Sequence, residues 1–152
     1  MISINVVCVG NLKEKFSREE QAEYQKRLSA FCNLSITEIK EQNQFENPEV
    51  IKQKEGAEII KKLKGYVILC EIDAAQLSSE KLAQKMSLLM NDNSCITFVV
   101  GGSYGVSEEV KKNAHEKISF SQMTFPHNLF RIMLLEQLYR GFTIINGKSY
   151  HK

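Results

Sequence analysis

The sequence contains no apolar run close to the roughly 20 residues that a membrane-spanning helix needs. Its first ten residues also lack the basic start and long apolar core of a signal peptide. We therefore expect a protein without a membrane segment that works in the cytoplasm. Repeats, linkers and low-complexity segments are absent too. A length of 152 residues with 43% hydrophobic content predicts one domain, residues 1–152.

The four cysteines include no Cys-x-x-Cys pair, which argues against a zinc site or a dithiol redox motif. Three of them, Cys8, Cys70 and Cys95, lie inside apolar runs that resemble strands. We therefore expect reduced, mostly buried thiols and no metal site.

The net charge is only +2, so the overall charge identifies no partner. The charge is nevertheless uneven, because the stretch from residue 121 to the end has one acidic residue against four cations. These are Glu136 against Arg131, Arg140, Lys148 and Lys152. Such a stretch fits a polyanionic partner such as RNA, and a mildly basic solvated tail is an equally good interpretation of the charge alone.

Six apolar runs have the length and composition of strands. They cover residues 2–9, 34–39, 66–72, 95–100, 117–120 and 143–145. Several are continuous rather than alternating, as expected for strands covered on both faces. Amphipathic stretches separate them, and this alternation predicts an α/β fold with a mainly parallel sheet flanked by helices.

Capping patterns locate the predicted helices. Ser17 with Glu20 forms a capping box, and Asn47 before Pro48 begins a helix that should stop at Gly65. Serines at 78 or 79 and at 107 cap two more. The last helix, about 128–140, is apolar on nearly all sides, so a partner subunit is expected to cover part of it.

Three glycines, Gly101, Gly102 and Gly105, directly follow the strand at 95–100, where open α/β sheets bind ligands. Their spacing is not the Gly-x-Gly-x-x-Gly of dinucleotide-binding units, and Glu116, expected inside the next helix, is not placed to bind a ribose. The pattern therefore indicates either a ligand-binding turn or a tight connection between a strand and a helix.

The Ser-Gln-Met-Thr-Phe-Pro segment is the second candidate site. Pro126 keeps Phe125 out of helical geometry, so the main-chain groups of residues 120–125 are free to pair with a ligand. A loop of this kind can clasp an adenine edge, with Met123 and Phe125 covering the ring. An ordinary connection that leads into a helix is the alternative.

In their order and spacing, these segments resemble a bacterial family of small SPOUT methyltransferases. That family methylates N3 of a pseudouridine in large-subunit (23S) ribosomal RNA. The resemblance covers the whole chain. Its motifs are Val9-Gly10, Lys54-Glu55-Gly56, Gly101-Gly102-Ser103-Tyr104-Gly105, Ser119-Phe120-Ser121-Gln122-Met123-Thr124-Phe125-Pro126-His127, Arg131, Glu136-Gln137-Leu138-Tyr139-Arg140 and Tyr150-His151-Lys152.

The resemblance implies a SPOUT-type α/β fold with a C-terminal trefoil knot, S-adenosylmethionine as methyl donor, and a homodimer with sites at the subunit interface. Carried over by position, it implies eight cofactor-binding residues. They are Cys70, Gly101, Phe120, Ser121, Gln122, Met123, Thr124 and Phe125. Cys70 stands where a leucine is expected, and a main-chain or apolar contact would tolerate that change.

Three residues are our candidates for the side of the site that faces RNA. Arg140 can hold a phosphate or a base carbonyl, Tyr150 can stack on a base, and His151 can take the N3 proton or orient the base. A frayed chain end is the alternative for Tyr150 and His151. We expect His127 to be a cap or packing residue and His115 to be a solvated helix residue.

The chain has no separate RNA-binding domain, so we expect a large preassembled substrate, the ribosome or its large subunit. Three other functions remain open on the sequence. The first is a nucleotide-dependent oxidoreductase, and the second is a non-catalytic RNA-binding dimer. The third is a SPOUT methyltransferase that acts on the 2′-oxygen of a tRNA ribose.

Overall fold

The computed structural model describes residues 1–152. Its strands are β1 (Ser3–Val9), β2 (Asn33–Ile39), β3 (Tyr66–Cys70), β4 (Cys95–Val100) and β5 (Glu116–Ile118). They form one sheet in the order β2-β1-β4-β3-β5, and every neighbouring pair is parallel. The predicted α/β fold with a parallel sheet is confirmed. The trefoil knot stays a prediction.

Five helices connect and follow the strands. They are α1 (Lys15–Leu28), α2 (Pro48–Ile60), α3 (Ser79–Asp92), α4 (Glu108–Asn113) and α5 (His127–Ile145). α5 packs against α1 and α3 on one face of the sheet, while α2 packs against α4. None of the helices combines the length and apolarity that crossing a bilayer would require.

Each face of the sheet has its own hydrophobic core. The larger core joins alternate side chains of β1 and β4, such as Val6 and Phe98, to Leu134 and Leu138 of α5. The other core joins Val7 and its neighbours to α2 and α4. Because both faces are covered, the strands are apolar without alternation, as the sequence indicated.

Three of the predicted helix caps are present. The side chains of Asn47, Ser78 and Ser107 each accept a hydrogen bond from a main-chain N–H of the first helical turn. The predicted capping box at Ser17 was wrong, since Ser17 lies inside α1, which begins at Lys15. The N-cap of α1 is Glu14, whose side chain makes no capping bond. The guanidinium of Arg18 instead donates to main-chain carbonyls just before the helix and holds that turn.

The helix after Asn47 ends at Ile60 rather than continuing to Gly65. Gly65 instead occupies a positive φ of 61°, where a Cβ would collide with the backbone of Cys95. β3 also ends at Cys70, two residues before the predicted end at 72. The prediction placed β5 one residue late and extended it to 120, whereas the structure ends it at 118.

The predicted strand at 143–145 does not exist, because these residues form the last turn of α5. Phe142 and Thr143 are buried there, and Gly141 lies against Met86 of α3. The β-branched residues Thr143, Ile144 and Ile145 indicated a strand, but packing of α5 on α3 outweighs that local preference.

Candidate functional site

The loops that follow β3, β4 and β5 surround one cavity of about 920 Å³ at the carboxyl edge of the sheet. Parallel strands bring their carboxyl ends to the same edge, so segments 50 residues apart in sequence meet there. The glycine turn forms one wall and the loop at 119–126 forms another. The two sequence motifs therefore converge in space.

The glycine turn is tight. The N–H of Gly105 donates to the carbonyl of Gly102 at 3.0 Å, and Gly105 has a positive φ of 82°. A Cβ at Gly101 would lie 2.8 Å from Val106 Cγ1 and 3.1 Å from the main chain of Gly105. Glycine at 101 thus allows the turn to close against the cavity.

The loop at 119–126 is held at its base and open at its tip. The Ser119 N–H donates to the carbonyl of Ala75 at 3.0 Å, and the Met123 N–H donates to Ser121 Oγ at 3.0 Å. The N–H groups of Gln122, Thr124 and Phe125 donate to no other group of the chain. This loop therefore offers main-chain donors to a ligand.

Seven of the eight residues expected to bind the cofactor line this cavity. They are Cys70, Gly101, Phe120, Ser121, Met123, Thr124 and Phe125. Gln122 belongs to the same loop, is exposed and does not line the cavity. Burial raises the pKa of the Cys70 thiol to about 12, so it stays neutral and acts as an apolar wall.

The ionised residues of the cavity lining are acidic. Glu71 and Asp73 line it, and no lysine or arginine does. Glu71 also pairs with Lys111 at 3.3 Å and with Lys117 at 3.8 Å, whereas Asp73 is exposed and makes no ion pair. The cavity is therefore better suited to a ligand with positive charge than to an anion.

The three candidates for the RNA-facing side form one cluster, in which Tyr150 and His151 fold back onto Arg140 of α5. The guanidinium of Arg140 donates to Glu136 Oε1 from Nη2 at 2.6 Å and from Nε at 3.0 Å. Tyr150 donates its hydroxyl to the same Oε1 at 3.1 Å, and its ring lies 4.8 Å from Arg140 Cζ. The bonds to Glu136 raise the pKa of Arg140, which remains charged.

The contacts of His151 define its tautomer. Arg140 Nη1 lies 3.1 Å from His151 Nδ1, and His151 Nε2 lies 2.8 Å from Glu80 Oε1. Arginine can only donate, so Nδ1 must accept and the proton must lie on Nε2. In this arrangement both ring nitrogens are engaged.

None of Arg140, Tyr150 and His151 lines the 920 Å³ cavity. Their partner Glu136 borders a second, smaller cavity of about 390 Å³ between α3 and α5. Phe120 and Phe125 line both cavities and lie between them. Within one chain, the structure therefore brings the three candidates together but keeps them outside the first cavity.

Comparisons with known proteins bear on this geometry. A family model described as "Predicted SPOUT methyltransferase" matches residues 2–151. This chain belongs to the SPOUT methyltransferase family. Relatives named "Ribosomal RNA large subunit methyltransferase H" occur in several bacteria. The one from Caldicellulosiruptor saccharolyticus is 46% identical over 98% of this chain and 99% of that protein.

Two further relatives with the same name are similar over their whole lengths. The protein from Clostridioides difficile is 46% identical, and that from Clostridium beijerinckii is 45% identical. In both cases the match covers 99% of this chain and 100% of the relative. Membership of a methyltransferase family argues against the oxidoreductase hypothesis.

This SPOUT chain also has a carboxylate–histidine group behind the cavity that the sequence analysis missed. His127, which lines the cavity, places Nε2 2.8 Å from Glu41 Oε1. Burial opposes ionisation of Glu41, but hydrogen bonds from Asn43 and His127 outweigh it and lower its pKa. His127 was predicted to be a cap or packing residue; Pro126 and not His127 is the N-cap of α5, and the contact with Glu41 is compatible with a packing role. No motif pointed to Glu41.

Glu55 of α2 is a buried carboxyl in this SPOUT chain, whereas Glu41 is half-buried. It is only 5% exposed and accepts a hydrogen bond from the Gln42 N–H at 3.1 Å. Burial raises its pKa, and the bond from Gln42 opposes that shift. A Cβ at Gly102 would lie 3.0 Å from Glu55 Oε1, so the carboxyl lies directly behind the glycine turn.

Arg131 is a structural residue of the SPOUT chain and not part of an RNA-binding surface. It is fully buried, and its guanidinium donates to the carbonyl of Gly10 at 2.9 Å and to Glu38 at 2.6 Å. The sequence analysis counted Arg131 among the cations available to RNA. Its burial removes it from that set.

Two other assignments need correction. His115 is not in a helix, since it lies between α4 and β5, where its Nδ1 accepts from the Val67 N–H at 2.9 Å. Glu116 begins β5 rather than continuing a helix, and it pairs with Lys85 at 2.7 Å. Glu116 therefore lies at the amino end of its strand, away from the cavity.

Proposed function

We propose that this protein transfers a methyl group from S-adenosylmethionine to N3 of a pseudouridine in 23S ribosomal RNA, on the ribosome or its large subunit. The observation that carries the proposal is the convergence of the glycine turn and the loop at 119–126 on one cavity. Family membership and the names of the relatives support this chemistry and this substrate.

The cavity residues fit S-adenosylmethionine. A volume of about 920 Å³ is in the range of small-molecule sites. The free N–H groups of Thr124 and Phe125 suit the edge of an adenine, and the Phe120 and Phe125 side chains suit its faces. Asp73, the acidic residue of the lining without an ion pair, complements a positive charge. When bound, the cofactor supplies a methyl group on a sulfonium centre.

The pseudouridine must lose its N3 proton, because the imide nitrogen is a poor nucleophile while protonated. The chain contributes by holding the base in line and by assisting proton removal. Glu136 fixes Arg140 and Tyr150 in one orientation. Arg140 then presents charge to a phosphate or carbonyl, and Tyr150 presents a ring for stacking.

Of the two roles predicted for His151, we assign it that of orienting the base, because both of its ring nitrogens are engaged. Its Nδ1 accepts from Arg140 and its Nε2 proton is directed at Glu80, so neither nitrogen is free to accept a proton. For His151 to take the N3 proton, the contact between Arg140 and Nδ1 must first open. Proton acceptance by His151 therefore requires a movement of either the Arg140 side chain or residues 150–152.

We also propose a homodimer with composite sites. The resemblance implies this assembly, and the separation of Arg140, Tyr150 and His151 from the cavity supports it. A tail from a second chain would supply the RNA-facing residues to the first cavity. The single sheet and the match over residues 2–151 support one SPOUT domain, which we expect to act in the cytoplasm.

The decisive experiment incubates the protein with labelled S-adenosylmethionine and large ribosomal subunits, then maps the label by mass spectrometry. We expect one methyl group on N3 of a pseudouridine of 23S RNA. His151→Ala and a chain cut after Ser149 should lower transfer while cofactor affinity stays normal. Label on tRNA ribose, or no label on any RNA, would contradict the proposal, and wild-type rates from both variants would remove the tail from the mechanism.

A further inference from the structure

Exposed large hydrophobic side chains are concentrated at the carboxyl edge of the sheet. Seven such residues exist in the chain, and only Met1 and Leu88 lie elsewhere. The other five occupy loops or first helical turns at this edge: Phe16, Ile72, Tyr104, Met123 and Leu129. Scattered exposed apolar residues need no explanation, but a concentration around a cavity indicates a binding surface.

Ile72, Tyr104 and Met123 line the cavity, whereas Phe16 and Leu129 do not. Phe16 is the aromatic residue of these two. Its side chain is 68% exposed and belongs to none of the hydrophobic cores or aromatic pairs. Packing within the chain therefore gives no reason for an aromatic ring at this position.

The segment that presents Phe16, residues 11–18, begins beside His127, a residue of the cavity lining. It follows Gly10, whose Cα lies so close to His127 that a Cβ would be 3.0 Å from Nε2. His127 lines the cavity. The charge of Lys13 also acts on Glu41, the partner of His127. We call residues 11–18 the basic segment.

The basic segment is the only cationic part of this edge. It has Lys13, Lys15 and Arg18 against Glu14. The residues that follow the other four strands, up to the first turn of the next helix, are neutral or acidic overall. Lys13 makes no ion pair, and the pair of Lys15 with Glu19 is long, 3.7 Å, and exposed. Both lysines are therefore available to an anionic partner.

An exposed aromatic ring next to two lysines that no strong ion pair holds matches single-stranded nucleic acid better than a protein surface. Bases stack on exposed aromatic rings, and phosphates pair with nearby lysines. Resting on the function proposed above, we propose that the basic segment is an RNA-docking surface. Phe16 stacks on a base next to the target nucleotide, and Lys13 and Lys15 bind the phosphates beside it.

The test measures binding and methyl transfer with large ribosomal subunits. Phe16→Ala is expected to raise both the Kd and the KM for subunits about tenfold, the loss of one base–aromatic stack. The Kd for S-adenosylmethionine should not change, and Phe16→Trp should restore binding. The matched control Leu88→Ala, another exposed apolar residue, should behave like wild type.

The lysines are tested by the salt dependence of subunit binding. The double variant Lys13→Gln, Lys15→Gln should lower the slope of log Kd against log salt by about 1.4, as expected for two phosphate contacts on a single strand. The control pair Lys62→Gln, Lys64→Gln is also exposed but lies between α2 and β3, at the opposite edge. It should leave the slope unchanged.

Three results would overturn the proposal. One is that Phe16→Ala keeps the wild-type Kd and KM for subunits. Another is that the Lys13/Lys15 variant and the Lys62/Lys64 control lower the slope of log Kd against log salt equally. The third is a change in the sedimentation coefficient of the free protein when Phe16 is replaced by alanine. Such a change would mean that Phe16 contacts a second copy of the chain. If wild-type protein transferred no methyl group, the proposed function would fail, but filter retention of subunits would still test the docking surface.

Discussion

Arg131 shows how one side chain can connect its own helix to three other parts of the chain. It reaches from α5 to the carbonyl of Gly10 after β1 and to Glu38 in β2, and it also donates to Gln21 of α1 at 3.3 Å. A buried arginine is tolerated only when its charge is paired, and Glu38 supplies that pair here, although Arg131 Nε has no partner. The position of the β1 loop, and hence of His127 beside the cavity, depends on it.

We expect Arg131→Met to lower the free energy of unfolding by about 3 kcal/mol, because it leaves the Gly10 carbonyl without its partner and removes the charge opposite Glu38. Urea unfolding measures the change. The control is Lys61→Met, which breaks the exposed pair with Glu58 and should cost less than about 1 kcal/mol. Equal losses in the two variants would show that Arg131 is not the structural connection inferred above.

Glu41 is expected to make stability depend on pH. Its pKa is lowered in the folded state, so its contribution is present above the unfolded pKa and is lost as pH falls through the folded value. The free energy of unfolding of Glu41→Gln should therefore fall less than that of wild type between about pH 6 and about pH 3. Parallel curves for the two proteins would contradict this assignment.

Glu55 should have the opposite effect. Burial raises its pKa, so the ionised form destabilises the fold, and stability is lost as pH rises through the folded value. Glu55→Gln should gain stability relative to wild type on going from about pH 3 to about pH 7. Urea unfolding of both proteins at the two pH values tests this. If Glu55→Gln gained more stability relative to wild type at the acidic pH than at the neutral pH, the assignment would be refuted.

Single residues were the least predictable part of the site. Gly101 and the loop at 120–125 could be located from their positions at the ends of apolar runs, whereas Cys70 was indicated only by the family resemblance. Glu41 and Glu55 could not, because helices and loops far apart in sequence bring them behind the glycine turn. The Lys54-Glu55-Gly56 motif pointed to the position of Glu55 but not to its burial.

α5 shows how packing determines an element that local sequence misassigns. Its last turn contains Thr143, Ile144 and Ile145, which favour strands. The helix continues because Phe142 and Gly141 fit against α3, where Met86 and Ala83 face Gly141. By contrast, the helices that begin at Asn47, Ser78 and Ser107 were predictable, since each start depends on a local hydrogen bond.

The contact between α3 and α5 predicts the effect of Gly141→Ala. The added Cβ would lie 2.9 Å from Met86 Sδ, and Met86 is fully buried. We expect overpacking to outweigh the gain in helix propensity and to cost about 1 kcal/mol. In a Met86→Ala background, which removes the obstructing sulfur, the same change should become neutral or stabilising. If the double-mutant cycle of Gly141→Ala and Met86→Ala showed no coupling energy, the contact between these two residues would not be the cause of the cost.

In the whole molecule, the proposed site has two halves that one chain does not join. The cavity lies between the loops of one edge, whereas Arg140, Tyr150 and His151 form their own cluster between α3 and α5. The cluster is already ordered by Glu136 and Glu80. A second chain that brings its cluster to the first cavity would complete the site without refolding either half.

This arrangement predicts that two defective variants restore activity when mixed. Gly101→Ala distorts the cavity wall against Val106, and a chain cut after Ser149 removes Tyr150 and His151. Random reassembly of a symmetric dimer makes about half of the dimers mixed, each with one intact composite site. We therefore expect about one quarter of wild-type methyl transfer. Thermal unfolding of each variant alone verifies that both are folded, and a mixture as inactive as its parts would place the whole site within one chain.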